Sequence, residues 1–197
     1  MKHILAIIFL SITSTVFSQK QSGEAERLRI ANEMETTIHQ MLNAWYPKDM
    51  DTIYGGFLST FTYDFKPTGD QNKFIVTQAR HTWSNAKAAM RYPNVSYYKT
   101  LAQHGYKFLH DIMWDKTYGG FYTMVDRKGN VIDSTKNAYG NAFGIYALAA
   151  YCKLSNNPDA LNFAKEAFTW MEKHSHDPVH KGYYMHMQRG GTPIQRT

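Results

Sequence analysis

Arg80 makes the clearest chemical demand on its surroundings, because it stands inside the apolar run "FIVTQARHTW". A guanidinium stays charged in a protein, so on an apolar helix it needs a carboxylate partner, a solvated end, or an anionic ligand to face. These readings are open on the residues alone. Tyr139 and Asn141 pose a smaller version of the question near the start of "NAYGNAFGIYALAAYCKL". They are either a core tyrosine and a helix-capping amide, or polar residues at the mouth of a cavity. The chain holds 14 Tyr, 11 Phe and 4 Trp, and flat faces with polar edges suit a polyhydroxylated ligand. His174, His176, His180 and His186 cluster with Asp177 at spacings that can bind zinc. No H-E-x-x-H helix accompanies them, and His180 fills the slot held by Tyr54 and Tyr118 elsewhere in the chain. No metal and no other cofactor are therefore expected, and His174 is read as contacting a substrate or supporting a residue that does. Asp115, Asp133 and Asp177 are the carboxylates available to a glycosidase-type pair, and all three sit in turn sequences. Cys152, flanked by Ala150, Tyr151 and Leu154, reads as a buried thiol rather than a nucleophile.

A repeated unit must position these residues. "DTIYGGF" at 51–57, "DKTYGGF" at 115–121 and "DPVHKGY" at 177–183 begin 64 and then 62 positions apart. Between them, amphipathic and nearly all-apolar helices alternate. Leu28, Ala31, Met34, Ile38, Met41, Leu42 and Trp45 recur at three- and four-residue steps and predict an amphipathic helix over 24–46. Further helices are predicted over 73–90, 96–114, 137–154 and 156–174, the last capped by Asn157 with Pro158 at its first position. "FYTMVDRKGNVIDS" predicts a β-hairpin turning at Lys128-Gly129-Asn130. A helix apolar on all sides must be buried on all sides. Amphipathic helices wrapped around apolar ones make an all-α double ring, an (α/α)6 toroid of helix pairs with short β-hairpins. Closing six such pairs takes roughly 380 residues, so this chain supplies about half a barrel. Ala142, Ile145, Ala149 and Cys152 on the fourth helix would then meet water or another chain, and a homo-oligomer is expected.

The ends and the charge add bounds. Residues 1–18 combine a basic start, an apolar run from Ile4 to about Val16 and small side chains before Gln19. That is the layout of a secretory signal peptide, which predicts a secreted or periplasmic protein with no stable membrane insertion after cleavage; an uncleaved anchor is the alternative. Residues 19–197 then form the partial barrel. One cysteine permits no internal disulfide, so stability must come from packing. The net charge of +6 is scattered along the chain and accompanied by no recognition motif, which argues against a nucleic-acid partner.

"QARHTWSNA", "DKTYGGFYTMVDRKGNVID", "KNAYGNAFGIYALAAY" and "MEKHSHDPVHKGYY" together resemble the N-acylglucosamine 2-epimerase and cellobiose 2-epimerase superfamily, in the order and spacing of its N-terminal half. The resemblance implies an (α/α)6 barrel that epimerises or isomerises a mono- or disaccharide: N-acylglucosamine, or a reducing-end hexose. It implies Arg80 as the active-site arginine, Trp83 as its helix partner, Tyr139 in the pocket, and His174 and Asp177 from a His-Ser-x-Asp motif. Asn141 replaces the family's usual glutamine, and Asn85 stands where an aromatic often follows the tryptophan. Inversion at C2 needs two acid/base groups titrating near neutrality and a fixed cation for the enediolate between the two proton transfers. Arg80 suits the second role. The family's acid/base histidines come from its C-terminal half, so this segment alone is expected to be inactive. A toroidal glycoside hydrolase or lyase, and a non-catalytic carbohydrate-binding protein, are the competing readings.

Overall fold

The computed structural model describes the backbone of residues 2–194 and the side chains of residues 23–194. The chain divides into two compact units between Tyr46 and Pro47. The first is a single helix, α1 (Lys2–Trp45), so the amphipathic helix expected over 24–46 is continuous with the stretch read as a leader. The leader's side chains lie outside the described residues. Within α1, Arg29 bridges Glu26 at 2.7 Å and Glu33 at 2.5 Å, while Leu28, Met34, Ile38 and Met41 are exposed. Among the described residues no helix is long and apolar enough to cross a membrane.

The second unit follows the predicted alternation. Strand β1 (Lys73–Phe74) leads into α2 (Ile75–Arg91), and α3 (Ser96–Phe108) widens into a π-helical turn at Leu109–Met113. Then come β2 (Met124–Val125), β3 (Val131–Asp133), β4 (Lys136–Asn137), α4 (Ala138–Ser155), α5 (Pro158–Ser175) and β5 (His186–Met187). Asn157 caps α5 by accepting the Asp159 N–H at 2.8 Å, with Pro158 inside the first turn. The hairpin β2–β3 closes where expected, with Asp126 N–H donating to Asn130 O at 2.8 Å.

Helices α2 and α4 pack side by side, α3 packs on both, and α5 packs on α4. The two inner helices need their small residues. A Cβ on Gly144 of α4 would lie 2.3 Å from the Phe121 ring. Phe121 is fully buried and held edge-on by Trp114 and Phe163, so it has nowhere to move. The faces at Ala142 and Ala149 of α4 are exposed and those at Ile145 and Cys152 half-buried, so this apolar helix is not buried on all sides.

Each glycine motif is one turn built three times. The aspartate N–H donates to the carbonyl of the motif's second glycine position: Asp51 to Gly56, Asp115 to Gly120 and Asp177 to Gly182, at 3.0, 3.0 and 2.9 Å. Each aspartate Oδ1 then accepts the N–H groups two and three residues on. The turn requires left-handed backbone at two successive residues, supplied by Gly55–Gly56, Gly119–Gly120 and Lys181–Gly182. In the second turn an added Cβ on Gly120 would also strike the Trp170 ring at 2.8 Å, whereas Gly182 has nothing within 4 Å. Gly120→Ala is therefore expected to cost about 2–4 kcal/mol, strain plus overpacking. Gly182→Ala is expected to cost only the about 1–2 kcal/mol of left-handed backbone. Urea unfolding of the two variants checks this, and equal losses would remove the packing role assigned to Trp170.

Candidate active site

Strand β1 sets the start of α2, and a buried contact sets its rotation. His81 Nδ1 lies 2.8 Å from Asp49 Oδ2, and His81 stacks on Phe57 at 5.0 Å. Asp49 is fully buried; burial raises its carboxyl's pKa, and His81 opposes the rise. With His81 held inward, the preceding residue is carried about 100° round the helix and Arg80 is exposed. No carboxylate pairs with Arg80 among the described residues. Its guanidinium lies instead 5.9 Å above the Phe143 ring of α4. Of the readings left open for Arg80, the structural salt bridge finds no support among the described residues, and the side chain is exposed rather than buried.

An aromatic surface surrounds it. Tyr139 meets Phe143 edge-on at 4.8 Å, Phe143 meets Tyr146 at 6.4 Å, and Tyr146 stacks on Trp83 at 5.0 Å. Tyr139 and Tyr146 are each about half exposed. The structure brings Arg80, Trp83 and Tyr139 onto one surface together with Phe143 and Tyr146. Their signal was in the sequence: 139, 143 and 146 form one helical stripe, and Phe143 and Tyr146 each fall 63 positions after Arg80 and Trp83. This face can hold a flat, hydroxyl-bearing molecule against aromatic rings and direct unpaired guanidinium donors at an oxygen that gains charge.

The other expected contacts are placed elsewhere. Asn141 is 1% exposed, and its Oδ1 accepts the Phe121 N–H at 3.0 Å while its Nδ2 donates to Asn137 O. Its amide therefore clamps the second turn rather than facing a ligand. Gln78, 63 positions earlier, does the same for Phe57. Asp177 is the turn aspartate of the third motif, and its carboxyl is lowered to about 2, chiefly by the His180 N–H. His174 ends α5, stacked on Trp170 at 4.9 Å and pressed against the backbone at Gly191. Burial, helped by Lys173, lowers its pKa. It lines an open cleft between α5 and the second turn, with Trp114, Tyr118 and Trp170. Asn85 is buried and donates to His81 O at 2.9 Å.

Residues 55–196 match the sequence profile of N-acylglucosamine 2-epimerase (GlcNAc 2-epimerase). The chain belongs to that family. It is 34% identical over 144 residues to cellobiose 2-epimerase of Dictyoglomus turgidum, across 73% of this chain and 37% of the relative. A D-mannose isomerase of Marinomonas mediterranea is 26% identical over 139 residues, 71% of this chain and 32% of that protein. The solved cellobiose 2-epimerase of Spirochaeta thermophila superposes with a TM-score of 0.74 at 33% identity, covering 83% of this chain and 41% of the other. The fold of this family member is accordingly an arc of an (α/α)6 toroid. The chain spans 37% of the length of the Dictyoglomus protein and 40% of that of the Bacteroides fragilis cellobiose 2-epimerase.

Proposed function

We propose that this chain carries the substrate-orienting and anion-stabilising part of a sugar 2-epimerase or aldose–ketose isomerase acting on a reducing-end hexose or N-acylglucosamine. The observation that carries the reading is Arg80: an unpaired guanidinium resting on Phe143, flanked by half-exposed Tyr139 and Tyr146. Removing the C2 proton of an open-chain aldose places negative charge on the C1 oxygen, which the C2 hydroxyl proton can share in the enediolate. Arg80 supplies donors whose charge is not already neutralised, which strengthens their interaction as the enediolate forms. The aromatic surface orients the sugar by its apolar ring faces. The proton-transfer pair belongs to other residues, which this segment is not expected to supply, so the chain by itself is inactive in this account. The layout of residues 1–18 adds export from the cytoplasm to the proposal; N-terminal sequencing of the mature protein tests that part and should begin near Gln19.

Similarity to both cellobiose 2-epimerases and a D-mannose isomerase leaves two product types to distinguish. A chimera in which residues 55–196 replace the matched stretch of the Dictyoglomus enzyme, given cellobiose or D-mannose, tests them by product analysis. An epimerised disaccharide or a ketose supports the reading. Released glucose from cellobiose would instead support a hydrolase.

A further inference from the structure

We propose that Asp49 and His81 are positioning residues for Arg80: their buried pair spaces and pins α2 against the first turn so that the guanidinium projects over Phe143. The placement stands on the packing alone, whereas its effect on turnover rests on the sugar reading. Asp49 is fully buried and meets His81 Nδ1 at 2.8 Å. No aligned hydrogen bond reaches either carboxylate oxygen among the described residues, so the His81 contact is what offsets the burial of this group.

The fold does not require such a pair, because the second repeat builds the same niche without it. Asp49 and Met113 each stand two residues before the turn aspartate. Leu58 N–H donates to Asp49 O at 2.7 Å, and Tyr122 N–H donates to Met113 O at 2.9 Å. Met113 therefore holds the place of Asp49. Gln78 and Asn141 clamp the Phe57 and Phe121 N–H groups, which aligns α2 with α4. Gly144 then takes the place of His81, and Phe143 that of Arg80. Met113 and Gly144 are both buried, with no charge between them. Apolar residues in place of a buried ion pair are often neutral or stabilising.

The packing of the turn's aromatic ring differs accordingly. A Cβ on Gly144 would lie 2.3 Å from the Phe121 ring, so α4 rests directly on that ring. In the first repeat the His81 ring stands between α2 and Phe57, stacked at 5.0 Å. The glycine that admits the Phe57 ring is instead Gly105 of α3, where a Cβ would lie 2.8 Å from it. Phe108 and Trp170 cover the first two turns alike, and by that match the counterpart of Gly105 is Ala167. His104 flanks the niche from α3, edge-on to Phe57 at 5.8 Å, with Nε2 2.8 Å from Gly56 O. Asp49, His81 and Gly105 thus depart together from the second repeat's residues, in the repeat that carries the arginine. An imidazole stacked on one ring and held at Nδ1 resists the rotation of α2 that would swing Arg80 off Phe143. A bare glycine face lacks that restraint.

The test gives the full chain the second repeat's residues, Asp49→Met with His81→Gly and Gly105→Ala. Urea unfolding reads stability, and 15N relaxation reads the order parameter of the Arg80 Nε–H bond. The unfolding midpoint should stay or rise, while the order parameter should fall from above about 0.6 to below it. The same triple change is made in a hybrid enzyme, residues 47–196 set into the Bacteroides fragilis cellobiose 2-epimerase, which matches this chain over 160 residues. There kcat on cellobiose should fall about ten- to a hundredfold, with KM within about twofold. Should the triple variant not fold, Asp49→Ala and Asp49→Asn decide. The first should release Arg80, and the second should keep it ordered, because an amide oxygen still accepts from Nδ1. Arg80 equally ordered with and without the pair, or disordered in the parent chain, would overturn the proposal. So would equal order in the Asp49→Ala and Asp49→Asn variants. A parent hybrid with no turnover would count against the sugar reading alone, since the order parameter still decides the placement.

Discussion

Asp115→Ala is expected to destabilise the second unit by about 3–5 kcal/mol, because it strands a buried ammonium. Lys136 Nζ has no exposure and lies 3.2 Å from Asp115 Oδ2. Burial lowers the Lys136 pKa to about 8 even with Asp115 present. The same substitution frees Arg189, which is half-exposed and can turn to water, and it removes the acceptor for the Thr117 and Tyr118 N–H groups. Total stabilities of single domains run to about 5–15 kcal/mol, so a loss of this size is visible directly in urea unfolding. Asp177→Ala, which removes the turn acceptor and a contact to the exposed His180 ring but strands no buried cation, is expected to cost about 1 kcal/mol. Similar losses at the two positions would mean that the cations add nothing to the turn.

The same triads set the acid limit of stability. Burial raises the Asp51 and Asp115 carboxyls, but Arg127 with Lys73, and Arg189 with Lys136, outweigh it. Both are held well below the usual carboxylate range. A carboxyl depressed in the folded state contributes stability that is complete above its unfolded pKa, about 3.9. That stability is lost as pH falls toward the folded value. The parent chain is therefore expected to lose stability steeply below about pH 4, and Asp115→Ala to show a shallower loss over the same interval.

Arg80→Ala in the chimera is expected to lower kcat about a hundred- to a thousandfold, the usual cost of losing one preorganised donor to an oxyanion, roughly 2.7–4 kcal/mol. Its stability should change by less than about 0.5 kcal/mol, because Arg80 is exposed and makes no ion pair among the described residues. The two readouts together separate a catalytic arginine from a structural one. Unchanged turnover, or a cooperative loss of fold, would assign Arg80 to structure. Phe143→Leu should fall between, with reduced kcat and little change in stability, since it removes the ring that holds the guanidinium in place.

What was legible in the sequence follows the range of the interactions. Helices α2, α4 and α5, the hairpin at Lys128-Gly129-Asn130 and the Asn157 cap are local or periodic, and each lies within a residue or two of its predicted bounds, while α3 reaches its predicted end only through the π-helical turn to Met113. Arg80 and Tyr139 were recognisable because an apolar helix exposes any polar exception, whereas Trp83 came only from the family resemblance. The aspartate triads were not read, because Arg127 and Arg189 stand 76 and 74 residues from their aspartates. A signal was nonetheless present, since Lys73 and Lys136, like Arg127 and Arg189, recur at nearly the period of the glycine motif. Asn141 illustrates the opposite difficulty. A polar residue at the start of an apolar helix can face a cavity or satisfy a backbone group, and only the position of the Phe121 N–H decides between them.

The most direct measurement is the fate of the C2 hydrogen when the chimera acts on cellobiose in heavy water, followed by NMR. The account predicts deuterium at C2 of the reducing-end ring, an intact disaccharide, and label incorporation reduced about a hundredfold or more by Arg80→Ala. Cleaved sugar, or an epimerised product with its C2 hydrogen retained, would contradict it.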